Sequence, residues 1–242
     1  MKCMCCGNEL EESRCGGCGF DFSDNEYMTI FSLNEAEQEV LNGLAESDCY
    51  KIEEVDRGIV IKGYIGTGKK ELRIPAEIDG KPVVKIGDYA FAFCEYIVDI
   101  WISEGITEIG ENAFVGCERL SEIRIPEGVT KIGKHAFYDC EWLREVRIPE
   151  SVTEIGQGAF FGCKGLEAIR IPEGVTEISD FTFTCCKWLS EVWIPEGVTK
   201  IGMYAFSGCE KLSVLRIPKT VTQIGKDAFK DCDNLNIIRT SK

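Results

Sequence analysis

The sequence predicts a repeat solenoid: a parallel β-sheet with short second strands and short helical turns, to which each unit adds one rung. Two observations carry this prediction. From Ile97 to Arg239 one pattern is written six times and begun once more, restarting at Ile97, Leu120, Leu143, Leu166, Leu189, Leu212 and Leu235 with a period of 23 residues. Cysteine keeps the same beat at Cys94, Cys117, Cys140, Cys163, Cys186, Cys209 and Cys232, with Phe91, Phe114, Phe137, Phe160, Phe183, Phe206 and Phe229 three places before each.

A representative unit reads Leu120-Ser-Glu-Ile123-Arg-Ile125-Pro126-Glu-Gly-Val129-Thr130-Lys-Ile132-Gly133-Lys-His-Ala136-Phe137-Tyr-Asp-Cys140. A Leu-x-x-Ile-x-Ile core at a fixed period of about 20 to 29 residues is the sequence form of a leucine-rich repeat. No unit can bury its apolar side alone. Stacking sets Leu120, Ile123, Ile125, Val129, Ile132, Ala136, Phe137 and Cys140 against their equivalents one rung up and one rung down, so the core is continuous.

The Ile-Pro-x-x-Val-Thr-x-Ile-Gly-x-x-Ala-Phe-x-x-Cys pattern, over residues 72–239, resembles the BspA-like leucine-rich repeats of bacteria and some protists. In that family the repeats are interaction and adhesion surfaces rather than catalysts, so the resemblance implies binding without naming a ligand.

The chain has 242 residues and a net charge of −14, unevenly spread. Residues 1–48 hold 11 acidic and 2 basic side chains, against 30 and 25 in the remainder. This balance opposes a phosphate-backbone partner, which needs clustered Lys and Arg. Met1-Lys2-Cys3-Met4 begins no apolar leader, and no run is long enough to cross a bilayer. The expectation is a cytoplasmic protein with reduced thiols, its 14 cysteines serving as metal ligands or buried side chains rather than disulfides.

Four segments follow in order. Residues 1–24 resemble a short zinc ribbon. Cys3-x2-Cys6 and Cys15-x2-Cys18 supply four thiolates for a tetrahedral structural Zn²⁺, and Gly7 and Gly19 permit the tight turn after each pair. Cys5 is a spare; a slipped set including it is the alternative, but only Cys3 with Cys6 keeps the spacing. Residues 25–48 are a linker and a short amphipathic helix, with a capping box at Ser32 and Glu35 and Leu33, Val40, Leu41 and Leu44 on one face. That face packs on the solenoid or the ribbon, or binds a partner. Residues 49–71 switch to period two around Asp56-Arg57-Gly58 and read as a β-hairpin cap. Residues 72–242 form the solenoid, whose first unit is five residues longer between Pro75 and Ile86 and contains the turn Asp79-Gly80. The stretch Gly63 to Lys70 nearly spells a phosphate loop, but Lys70 stands where Ser or Thr belongs and strand residues follow.

Alternation along each strand points Glu122 and Arg124 outward when Ile123 and Ile125 point inward. The Arg124 column then reads Arg73, Trp101, Arg124, Arg147, Arg170, Trp193, Arg216 and Arg239, beside an acidic column of Glu71, Asp99, Glu122, Glu145, Ala168, Glu191, Val214 and Ile237. The two ladders either satisfy one another or form a recognition face centred on Trp101, Arg124, Arg147, Arg170, Trp193 and Arg216, since Trp and Arg dominate interface energetics. A further column, Glu104, Glu127, Glu150, Glu173 and Glu196, reads as solubilising, and the cysteine ladder reads as packing. His135 is the only histidine, and no nucleophile, base and orienter can be assembled from the spacing. The sequence therefore predicts a non-enzymatic protein-interaction module. Its alternatives are a cell-surface or secreted adhesin, and a spacer scaffold that binds through its ribbon and helix. It is expected to be a monomer, or a dimer through the C-terminal strand edge.

Overall fold

The computed structural model describes residues 10–11, 14–15, 47–66 and 69–240. The chain divides into two units, Met1–Leu44 and Ala45–Lys242. In the first, β1 (Leu10–Glu11) and β2 (Arg14–Cys15) pair antiparallel, Leu10 opposite Cys15. Cys3, Cys6 and Cys18 of the expected ribbon, and the helix expected over residues 32–46, lie outside the described residues.

The second unit opens with a 3-10 turn at Ser47–Cys49, then β3 (Tyr50–Val55) and β4 (Gly58–Tyr64) as an antiparallel hairpin. Ile59 and Ile61 of β4 are fully buried, whereas all of β3 except Tyr50 is exposed, so the hairpin shows its charged outer strand to solvent. Placing Lys51, Glu53 and Glu54 on that edge discourages pairing with another chain. Next come β5 (Glu71–Ile74), β6 (Glu77–Ile78) and β7 (Lys81–Ile86). The additional residues of the first unit form a second hairpin, β6 against β7, turning at Asp79 and Gly80, both with positive φ.

From there every unit contributes a longer and a shorter strand: β8 (Asp99–Ile102) and β9 (Glu108–Ile109), β10 (Glu122–Arg124) and β11 (Lys131–Ile132), β12 (Glu145–Arg147) and β13 (Glu154–Ile155). The series continues with β14 (Ala168–Arg170) and β15 (Glu177–Ile178), β16 (Glu191–Trp193) and β17 (Lys200–Ile201), β18 (Val214–Ile217) and β19 (Gln223–Ile224), and closes with β20 (Asn236–Arg239). The longer strands pair in parallel in the order β5-β8-β10-β12-β14-β16, with β18-β20 as a separate pair. The shorter ones join the hairpin in the order β3-β4-β7-β9-β11-β13, and β15-β17-β19 continue separately.

The repeat core is buried as expected: Leu120, Val129, Ile132, Ala136, Phe137 and Cys140 have no exposed surface. The phenylalanines form one unbroken stack from Phe91 to Phe229, with ring centroids 5.2 to 5.9 Å apart and planes within 19° of parallel. This stack crosses both sheet interruptions, each of which is also bridged by pairing in the other sheet, β12 with β14 at the first and β17 with β19 at the second. At these separations the rings stack with the offset that their quadrupoles favour.

The expected short helical turns are single i→i−3 bonds rather than helix. In one rung Ala136, Tyr138 and Cys140 donate to Gly133, His135 and Phe137, while His135, Phe137 and Asp139 donate to Gln157, Ala159 and Phe161 of the next rung. Alternating the direction of successive N–H groups in this way satisfies both sets. It also requires two left-handed residues per rung, here His135 (φ 53°) and Asp139 (φ 54°). Thr107, Thr130, Thr153, Thr176, Thr199 and Thr222 each lie one residue before a short strand, and Thr130 donates from both its amide and its hydroxyl to Thr107 O.

One expectation fails at the last rung. The period of 23 would place Arg239 over Arg216 and Ile237 over Val214. Instead Arg216 pairs with Ile238 and Ile217 with Arg239, a slip of one residue. Every residue of β20 is exposed and no described strand pairs on its far side, so no buried face enforces the register there.

Candidate functional site

The outward column of the long strands brings together most of the residues that the sequence singles out. Arg73 stands opposite Trp101, Trp101 opposite Arg124, Arg124 opposite Arg147, and Arg170 opposite Trp193. Arg73, Trp101, Arg124, Arg147 and Arg170 are held outward because their neighbours on both sides, such as Ile123 and Ile125 around Arg124, are buried, whereas Trp193 is flanked by buried Val192 and half-buried Ile194.

These side chains do not share one environment. Trp101 is half-buried between two guanidinium groups, Arg73 at 5.2 Å and Arg124 at 5.7 Å from its ring centroid. Such cation–π contacts use the indole within the chain. Arg124 also donates from Nε to Glu122 Oε1 at 2.8 Å, so this part of the ladder satisfies itself. Arg170, whose own rung offers Ala168, reaches Glu150 of the preceding rung, with Nε 3.6 Å from Oε1. Arg147 and Arg216 have no carboxylate in ion-pair contact among the described residues, and Trp193 is 51% exposed. Arg239, once placed in this column, donates from Nη1 to Val221 O at 2.8 Å and to Pro218 O at 3.5 Å.

A depression of about 910 Å³ lies on this face, lined by Glu122, Arg124, Glu145 and Arg147 and by Trp142 and Arg144. Arg144 is an addition that the strand columns do not give; Trp142, like Trp188 directly before its unit's leucine, is expected from the sequence to be partly exposed. Trp142 and Arg144 flank Leu143, just ahead of β12, and Trp142 is 58% exposed. The available signal was a bulky residue directly before the unit's first leucine. Trp193 does not line this depression, so the face has two separate centres.

Cys117, Cys140, Cys163, Cys186, Cys209 and Cys232 each donate a thiol hydrogen bond, 3.0 to 3.2 Å, to the carbonyl of the phenylalanine 26 residues earlier. Burial pushes the thiols of Cys140, Cys163 and Cys186 well up, which keeps them protonated and unreactive near neutral pH. The ladder is therefore a hydrogen-bonded spine as well as packing. His135 lies on the turn, with its ring edge-on to Tyr138 at 5.1 Å, and burial lowers its pKa to about 4. Among the described residues of the expected metal set, Cys15 lies in β2. No helix of the described residues is long and apolar enough to cross a membrane.

A family model for the BspA type leucine rich repeat region matches six copies over residues 72–187 and 130–242. A leucine-rich-repeat protein from T. pallidum is similar in structure, with 31% identity, 79% of this chain and 90% of that chain covered, and a TM-score of 0.74. A leucine-rich cell surface protein from Faecalibacterium prausnitzii is 37% identical over 80% of this chain, with a TM-score of 0.74, and the match spans 54% of that protein. No curated protein sequence matches. The repeat, its fold and these matches agree that the chain belongs to the BspA-type leucine-rich-repeat family.

Proposed function

We propose that this chain is a non-enzymatic protein-interaction module that binds a protein partner on the exposed face of its long-strand sheet. One observation carries the reading: Arg147, Arg216 and Trp193 stand on that face with no partner, among the described residues, of the kind that occupies Trp101 and Arg124. Desolvated Trp and Arg side chains dominate the energy of protein interfaces, whereas ladders already satisfied within the chain have less to offer. Structural zinc held by Cys3, Cys6, Cys15 and Cys18 belongs to the same proposal, and metal analysis of purified protein, expected to give one Zn²⁺ per chain, tests it.

The test of the face is a pull-down from the source organism's lysate, comparing the native chain with a Trp101→Ala, Arg147→Ala, Trp193→Ala triple variant of matched circular dichroism. A protein retained by the native chain and lost by the variant is the expected result. Equal retention by both sinks the face and redirects attention to the ribbon and helix.

A second reading, a cell-surface adhesin, draws on the F. prausnitzii relative, which is described as a cell surface protein. It competes with a cytoplasmic location. Fractionating native cells separates them: intact chain beginning at Met1 in the cytosolic fraction supports the first, and chain accessible to external protease supports the second.

A further inference from the structure

A second row of positions runs beside the sheet face, one residue ahead of each unit's first core position: Tyr96, Arg119, Trp142, Gly165, Trp188, Lys211 and Asn234. Its aromatic members fall on every second rung and are alike in exposure, at 57%, 58% and 58%. Backbone bonds fix the row. Trp142, Gly165, Trp188 and Lys211 donate from their amides to Glu118, Glu141, Lys164 and Lys187 of the rung before, at 2.8 to 3.1 Å. Gly165 adds no side chain of its own on the rung between the two indoles, and Lys211 lies over one face of Trp188, 5.2 Å from its centroid.

The spacing selects an occupant. Two rungs of a parallel sheet span about 9.6 Å. An α-helix rising about 1.5 Å per residue covers that distance in about 6.4 residues, which leaves it roughly 80° short of a whole turn. A β-strand covers it in about three residues, and the third side chain points to the opposite face. A polyproline II helix, with three residues per turn at about 3.1 Å each, advances about 9.3 Å per turn and returns the same face at every step. Aromatic-lined grooves are the surfaces on which such helices dock.

The geometry points to this row as a docking track for a proline-rich polyproline II segment whose successive turns pack on Tyr96, Trp142 and Trp188, with acidic residues at the end that passes Trp188. Lys211 sets that end: it follows Trp188 in the row, and the neighbouring acid Glu210 is already engaged by Lys187. Glu95 and Glu118 flank the row at the Tyr96 end, so no acid belongs there. The track does not include Trp193, and it meets the sheet face at the depression that Trp142 and Arg147 both line.

The test is calorimetric titration of the full chain with a synthetic peptide of about nine prolines, spanning three turns, with two glutamates at one end. Binding is expected, weakened about tenfold or more by Trp142→Ala and by Trp188→Ala, and unchanged by Trp193→Ala. Replacing the prolines by alanine, or the glutamates by lysine, should weaken the peptide by a similar factor. Trp142→Phe and Trp188→Phe keep a ring on the track and should keep most of the affinity, which guards against loss through misfolding. Failure of the peptide to bind, equal affinity of the alanine peptide, or binding of a cello-oligosaccharide in its place overturns the proposal. The sheet-face reading is judged separately, by the captured protein and its dependence on Arg147 and Trp193.

Discussion

At the scale of single residues, His135 shows how the repeat tolerates a local exception. Its position is left-handed and lies in a column occupied elsewhere by Asn112, Gly158, Phe181 and Tyr204. The imidazole lies over Gly158, where a Cβ would strike it, and it is packed there in its neutral form. Burial, helped by nearby Lys134, holds its pKa at about 4, below the ordinary value near 6.5. The unfolded chain therefore binds a proton more readily than the folded one. Stability is complete above about pH 6.5 and falls as the pH drops toward 4, by about 3 kcal/mol in full. Urea midpoints at pH 7.5 and 4.5 should fall further apart for the native chain than for His135→Asn, and equal pH dependence would overturn this account. Phe137 is the other informative residue. It is fully buried between Phe114 and Phe160, at 5.3 and 5.2 Å, so Phe137→Ala opens a cavity in mid-stack. It should cost about 3 to 5 kcal/mol, read from chemical denaturation.

Among the elements, β20 behaves unlike the strands before it. Its slipped register turns Arg239 toward the carbonyls of Pro218 and Val221, and Ile237 and Ile238 remain 41% and 39% exposed. The arginine secures the strand where burial does not. Removing it with Arg239→Ala should cost about 1 kcal/mol locally, since the group is exposed and its bonds compete with water. Amide exchange of β18 and β20 should then accelerate about fivefold while β8 to β14 keep their protection. A uniform change across all strands would show instead that β20 is coupled to the whole. The hairpin at the other end needs no such device, because Ile59 and Ile61 bury its inner strand outright.

For the repeat unit as a whole, stability is close to a sum over rungs and their interfaces. Deleting residues 120–142, one complete period, joins Arg119 to Leu143 and restores every column. This variant should fold with an undiminished β signal and a slightly lower melting temperature. Deleting only residues 120–130 breaks the period and should abolish cooperative melting. If both deletions melt alike, the rungs are not the independent units described above.

The rung, its core and the direction of its side chains were legible in the sequence, because a strict 23-residue period lets each unit be read against its copies. Seven phenylalanines and seven cysteines at one spacing can be buried only by stacking, and alternation then sends Arg124 and Arg147 outward. The resemblance carried by the Ile-Pro and Ala-Phe-x-x-Cys motifs reached the same family as the comparisons. What the pattern could not decide depends on contacts between rungs of unequal composition. Arg73 and Arg124 enclose Trp101, whereas Trp193 stays open, although both tryptophans occupy one column. Trp142 and Arg144 join the depression from outside the strand, where alternation says nothing about direction. The cysteine ladder donates hydrogen bonds that spacing alone cannot reveal. The slip at β20 arises because register is enforced where a strand buries one face, and β20 buries neither. Sequence by itself determined the period, the buried columns and the family; tertiary structure decided which outward side chains are already satisfied, since that depends on distances between rungs rather than on positions within one.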